Sequence, residues 1–167
     1  NINIYSLVGY EILWDQLLQE NVIENKVKRK IKTSLIDYEA INNTQNFNTL
    51  IRIIESKDIQ GFLSTNEAIA FWINAYNVGV IKLILEYYPI NSVSNIPDFD
   101  TLPVYSFGET YFSLTDIESK LIELGNHIYL FSVHNGTISG PDLRPIVYTT
   151  DNLLSEMDKS FDLFLAN

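Results

Sequence analysis

Six residues have types and spacing that would serve chemistry or ligand binding. Glu67, Asn74 and Asn77 fall in one apolar stretch, Ser64 to Pro89, and at 3.6 residues per turn they share a helix face about 80° wide. His134 and Asn135 open a loop that contains Gly136, Gly140 and Pro141, and Arg144 closes it. A carboxylate or an imidazole at a concave site can act as a general base, an amide can donate to a developing oxyanion, and a guanidinium can anchor an anion. Each residue also has a plain structural reading. Ser64-Thr65-Asn66-Glu67 is a capping box, in which Ser64 accepts from the Glu67 amide and Glu67 reaches back to the Ser64 amide. The two asparagines would tie the helix to neighbouring backbone, because buried amides must be satisfied. A lone loop histidine is commonly structural, and Arg144 in so acidic a chain pairs readily with a local carboxylate.

The element that must position these groups is the Ser64–Pro89 helix. Ile69, Trp72, Ile73, Tyr76, Val80, Leu83, Ile84 and Tyr87 gather on one broad face, with Glu67, Asn74, Asn77, Lys82 and Glu86 on the other. Pro89 ends it, since the residue before a proline is pushed out of the helical region. Lys82 and Glu86 inside the apolar run speak for a core helix and against a transmembrane segment. Ahead of it, Tyr5 to Asn21 reads as an amphipathic helix with Trp14 beside it, and Lys26 to Thr33 as a second, basic helical segment. Leu35 to Tyr38 reads as a turn or short extended piece, Asn42 to Asn46 as a loop, and Phe47 to Lys57 as a further helix.

Beyond the central helix, residues 103–107 and 110–114 flank Gly108-Glu109 as a β-hairpin. Thr115-Asp116-Ile117-Glu118 reads as a second capping box that starts a helix stopped by Gly125. Ile128 to Val133 is the best buried-strand candidate, residues 134–142 form a loop, and a last helix covers Asp151 to Leu165. The expected fold is α+β: a helical N-terminal part, a long buried central helix, a β-hairpin and a small antiparallel sheet in a single domain covering residues 1–167.

Composition narrows the function classes. Eleven Lys and Arg against 21 Asp and Glu give a net charge of −10, whose field repels phosphate backbones and anionic membranes and argues against a nucleic-acid partner. The one basic run, Lys26 to Lys32, reads as a solvated helix end. There is no cysteine, hence no disulfide, thiolate metal site or thiol nucleophile. His127 and His134 alone do not make a metal site, no phosphate loop or nucleophile elbow occurs, and no cofactor is implied. Composition leaves the compartment open.

Glu67, Phe71-Trp72-Ile73-Asn74, Tyr76-Asn77, Tyr88-Pro89-Ile90, Ser92-Val93, Leu114, Asp116-Ile117-Glu118, Pro141, Leu143-Arg144-Pro145, Tyr148 and Thr150 resemble, in order and spacing, the domain of unknown function 547 from about Ile36 to Leu165. The resemblance places a family histidine at Leu130 and family cysteines at Asn135 and Gly140, so this member lacks all three. It implies a non-catalytic binding or interaction module, taking a small molecule or a protein in a cleft between the Glu67–Asn77 helix face and the His134–Arg144 loop. The loop is then expected to pack near Glu67 and Asn74. The other reading, from a distant likeness to papain-like and transglutaminase-like folds, is a hydrolase or transferase that uses Glu67 or His134 as base and Asn135 as donor to an oxyanion.

Overall fold

Fourteen consecutive residues of the central helix are buried, from Ala68 to Ile81. In the computed structural model, which describes residues 4–28, 31–125, 127–137 and 139–166, this helix is α4, Thr65–Glu86, the fourth of six helices. Its N-cap is as expected on one side: Ser64 Oγ accepts from the Glu67 amide at 3.1 Å. The other half of the box is absent, because Glu67 accepts from the Leu63 amide (2.6 Å) and from Lys57 Nζ (2.9 Å) instead. The expected polar face reaches solvent only at its two ends, through Glu67, Lys82 and Glu86. In the middle Asn74 is 0% and Asn77 3% exposed, because neighbouring segments pack around α4 from Ala68 to Ile81. Gly79 makes one such approach possible, since a Cβ there would press on Val104, Leu114 and Tyr105.

The N-terminal helix α1 (Ile4–Asn21) is interrupted at Gly9, whose φ of 67° is non-helical, and it buries Leu13, Trp14, Leu17 and Leu18. The basic segment after it is not helical. Val22–Lys28 (β1) and Ile31–Ile36 (β2) pair antiparallel, Val22 with Ile36 and Val27 with Lys32, with an irregularity between Ile23 and Lys26. The alternation of Lys26, Val27 and Lys28, and of Ile31, Lys32 and Thr33, suits a two-faced ribbon, and β-branched residues favour the pleat over the helix. Arg29 and Lys30 lie outside the described residues. Helices α2 (Tyr38–Asn42) and α3 (Gln45–Glu55) follow, the latter burying Phe47, Leu50, Ile51 and Ile54 as its spacing foretold.

The second hairpin pairs β3 (Tyr105–Phe107) with β4 (Thr110–Phe112) across Gly108-Glu109. Trp72 stacks on Phe112 at 5.5 Å between centroids and meets Phe107 edge-on at 5.6 Å, which joins this hairpin to α4. Helix α5 (Leu114–Glu123) does begin in a capping box, but two residues earlier than expected, with Ser113 and Asp116 as its members. Glu118 instead accepts the Tyr76 hydroxyl at 3.1 Å, back on α4.

The expected strand at Ile128–Val133 is also different: residues His127–Phe131 form a 3-10 helix, followed by a turn in which the Ser132 amide donates to Tyr129 O at 2.7 Å. Aromatic and branched residues there have strand propensity, yet among the described residues no strand pairs with this segment, and a lone strand would leave its backbone groups unpaired. An irregular segment then leads to α6, Leu153–Leu165. The architecture is α+β, with two separate two-stranded sheets among six α-helices in the described residues. Its buried apolar side chains make one cluster, from Leu13 of α1 to Met157 of α6.

Candidate functional site

Two amides on α4 hold the irregular C-terminal segment to the core. Asn77 donates through Nδ2 to Ser132 O (3.1 Å) and accepts through Oδ1 from the His134 amide (2.7 Å). One turn earlier, Asn74 donates to Tyr148 O (2.7 Å), accepts from the Tyr148 amide (3.1 Å), and also donates to the Tyr10 hydroxyl (3.1 Å). Each side chain supplies a donor and an acceptor to one backbone stretch, as a neighbouring strand would. Both act as clasps, and both are buried.

His134 is buried beside its clasp. Its Nδ1 lies 3.3 Å from Pro141 O, and its Nε2 has no partner. Burial pushes its pKa down, against smaller upward pulls from Pro141 O and Asp142. The ring is therefore neutral at pH 7, with Nδ1–H as donor. Asn135 keeps to its own loop, where its Oδ1 accepts from the Thr137 amide (3.1 Å) and hydroxyl (2.7 Å). A Cβ on Gly140 would collide with the Asn135 side chain, so the two positions to which the family resemblance assigns cysteines are in contact. With asparagine and glycine there, no thiol chemistry runs through this pair. The loop packs on the middle and later turns of α4 rather than near its start: a Cβ on Gly136 would fall 2.6 Å from Val93 Cγ1 and close to Ile84 and Val80.

Glu67 stands apart. The Lys57 ammonium and the Leu63 amide hold its carboxyl below the usual range. Ten residues at 1.5 Å each put it about 15 Å along α4 from Asn77, where His134 is clasped. Neither Glu67 nor His134 borders the two cavities described below, and a proton relay between them is out of reach.

Arg144 marks the other side of the loop. It donates to Glu156 Oε2 (2.7 Å), Glu156 O (3.0 Å) and Ser160 Oγ (3.0 Å), all on α6. Lys159 takes the second Glu156 oxygen at 2.6 Å. Burial raises the Glu156 pKa, but Lys159 and Arg144 together outweigh it and hold the carboxyl low. Two cations thus share one carboxylate, and the trio carries a net positive charge.

A cavity of about 350 Å³ opens here. One wall is the loop, from Ser139 to Asp142, with Arg144, and the opposite wall is the β1–β2 hairpin, through Glu24, Lys32 and Thr33. Phe131, Leu163 and Phe164 give it an apolar end, with Phe131 packed on Phe161 and Phe164 at 4.8 and 5.2 Å. Thr33 Oγ1 donates to Asp142 Oδ1 (2.6 Å) and Gln19 Nε2 to Pro145 O (2.6 Å), which fastens the hairpin and α1 to the loop. A second, more open depression of about 580 Å³ lies among α2, α3 and the end of α4, by Phe47, Arg52 and Lys82. Of the six residues singled out in the sequence, only Arg144 borders the first cavity. The hairpin and α6 contributors were not singled out; the hairpin's one signal was the alternating basic run, legible only once read as strand.

Among the described residues no group of three His, Asp or Glu side chains is placed to hold a metal ion. Among the described residues one helix, α4, is long and apolar enough to cross a membrane, but 89% of its apolar window is buried inside the protein, as befits a core helix.

Residues 61–165 match the family model described as "Protein of unknown function, DUF547". The chain belongs to that family. The matched region begins just before α4 and ends in α6, so it holds both asparagine clasps and the loop, while the β1–β2 hairpin that completes the cavity lies outside it. No curated protein and no solved structure matches the chain significantly.

Proposed function

We propose that this member of the family is a non-catalytic binding module that holds a small molecule in the cavity between the β1–β2 hairpin, the Ser139–Arg144 loop and α6. The observation that carries this reading is the cavity itself. An apolar end at Phe131, Leu163 and Phe164 meets a polar mouth at Thr33, Asp142 and Arg144, the combination that small-ligand sites use for affinity and orientation. Asn77 and Asn74 serve the site from behind: they fix the segment that forms its wall to the most buried helix, so the wall is preorganised. The candidate bases support a structural role. Glu67 is engaged by Lys57 and Leu63, and His134 is buried against Pro141 and does not itself line the cavity.

A ligand-observed NMR screen of small aromatic and aliphatic fragments tests this, run on the wild type and on Leu163→Trp. Leu163 is half-exposed at the cavity rim, so the larger indole fits the fold while filling the site. Fragments that bind the wild type should be lost from the variant. Absence of any binding fragment, or retention of the same fragments by Leu163→Trp, overturns the proposal.

A further inference from the structure

The charges around the cavity are of both signs. Lys32 on β2 and Arg144 in the loop are its cations, Glu24 on β1 and Asp142 its anions. Among the described residues no ion pair ties up Glu24, Lys32 or Asp142, and the one side chain on Asp142 is the neutral Thr33 hydroxyl. Arg144 is paired with Glu156, yet Glu156 is shared with Lys159, so the α6 side stays net positive. A ligand with a single charge would meet a like charge at this mouth and leave another without a partner, which costs most at the part-buried Asp142 and Arg144 and less at the exposed Glu24 and Lys32.

Resting on the reading of this cavity as a binding site, the geometry points to a ligand that is a zwitterion with an apolar side chain: a free α-amino acid of the large aliphatic or aromatic kind. Its carboxylate faces Lys32 and Arg144, its ammonium faces Glu24 and Asp142, and its side chain lies against Phe131, Leu163 and Phe164. Size agrees. At about 350 Å³ the cavity falls within the range of about 300–1,000 Å³ that small-ligand pockets occupy, room enough for an amino acid with a large side chain.

Titration calorimetry at pH 7 with L-phenylalanine, phenylacetate and phenethylamine separates the three charge patterns. Phenylalanine should bind at least about tenfold tighter than either analogue, since each analogue leaves one sign of charge unmatched. Glu24 and Lys32 are both exposed on the hairpin, so their neutral variants should fold. Lys32→Gln should weaken phenylalanine and phenylacetate but not phenethylamine, which is relieved of a like charge; Glu24→Gln should weaken phenylalanine and phenethylamine but not phenylacetate, for the same reason. If either analogue binds as tightly as phenylalanine, or none of the three binds, the zwitterion inference is wrong. In the second case, fragments that are still lost from Leu163→Trp would leave the cavity reading standing, so the two failures are distinguishable.

Discussion

Replacing Asn77 by alanine removes the clasp between α4 and the cavity wall. The side chain is 3% exposed, and its loss leaves two backbone groups without their partner, Ser132 O and the His134 amide. A buried polar group stranded in this way costs about 1–3 kcal/mol, so the pair comes to about 2–6 kcal/mol, towards the lower end if the loop lifts and water reaches it. Against a total stability of about 5–15 kcal/mol the loss is large. Urea melts followed by tryptophan fluorescence measure it, and amide exchange at His134 reports whether the loop has come free. Asn77→Asp is the control. It keeps the acceptor for the His134 amide but turns a carboxylate oxygen toward Ser132 O, unless it is protonated and donates there. Its folded pKa is therefore raised above the unfolded value of about 3.9, so stability is near wild type below pH ~4 and falls as pH rises through the folded pKa. A loss under about 1 kcal/mol for Asn77→Ala, with the His134 amide still protected, would refute the clasp.

Trp72→Ala should cost about 3–5 kcal/mol, because the indole is 2% exposed between Phe112 and Phe107; denaturant melts check it, and a loss under about 1 kcal/mol would mean the aromatic cluster is not holding the second hairpin. Since burial lowers the folded pKa of His134, its neutral form contributes stability that is present above the unfolded pKa of about 6.5 and lost as pH falls through the folded value. Wild type should thus lose stability relative to His134→Gln as pH drops below about 6.5, at up to about 1.4 kcal/mol per pH unit; parallel pH–stability curves would contradict a buried neutral ring. Gly136→Val puts a branched side chain at φ 76° and against Val93, Ile84 and Val80, so thermal melts should show a Tm lowered by several degrees, and an unchanged Tm would place the loop elsewhere.

The sequence announces α4 through Ser64, its apolar run and Pro89, all local signals. It also shows that Asn74 and Asn77 need partners. It does not say which, because Tyr148 and His134 come from segments 74 and 57 residues away. The two misread elements failed for opposite reasons. Lysine-rich composition hid the period-two alternation of β1 and β2, while the strand-like composition of Ile128–Val133 hid the lack of any neighbouring strand. The cavity escapes a reading of the sequence because it is assembled from β1–β2, the loop and α6, which share no one motif; Gly140, Pro141 and Arg144 fall in the family pattern, and of these Arg144 alone stood out as a candidate site residue.

A crystal structure of the protein grown with the tightest-binding fragment tests the central claim most directly. The account predicts ligand density between Thr33, Asp142 and Phe164, with the Asn77 bonds to Ser132 and His134 unchanged. Density instead beside Glu67 or in the depression near Arg52 and Lys82, with the first cavity empty, would contradict it.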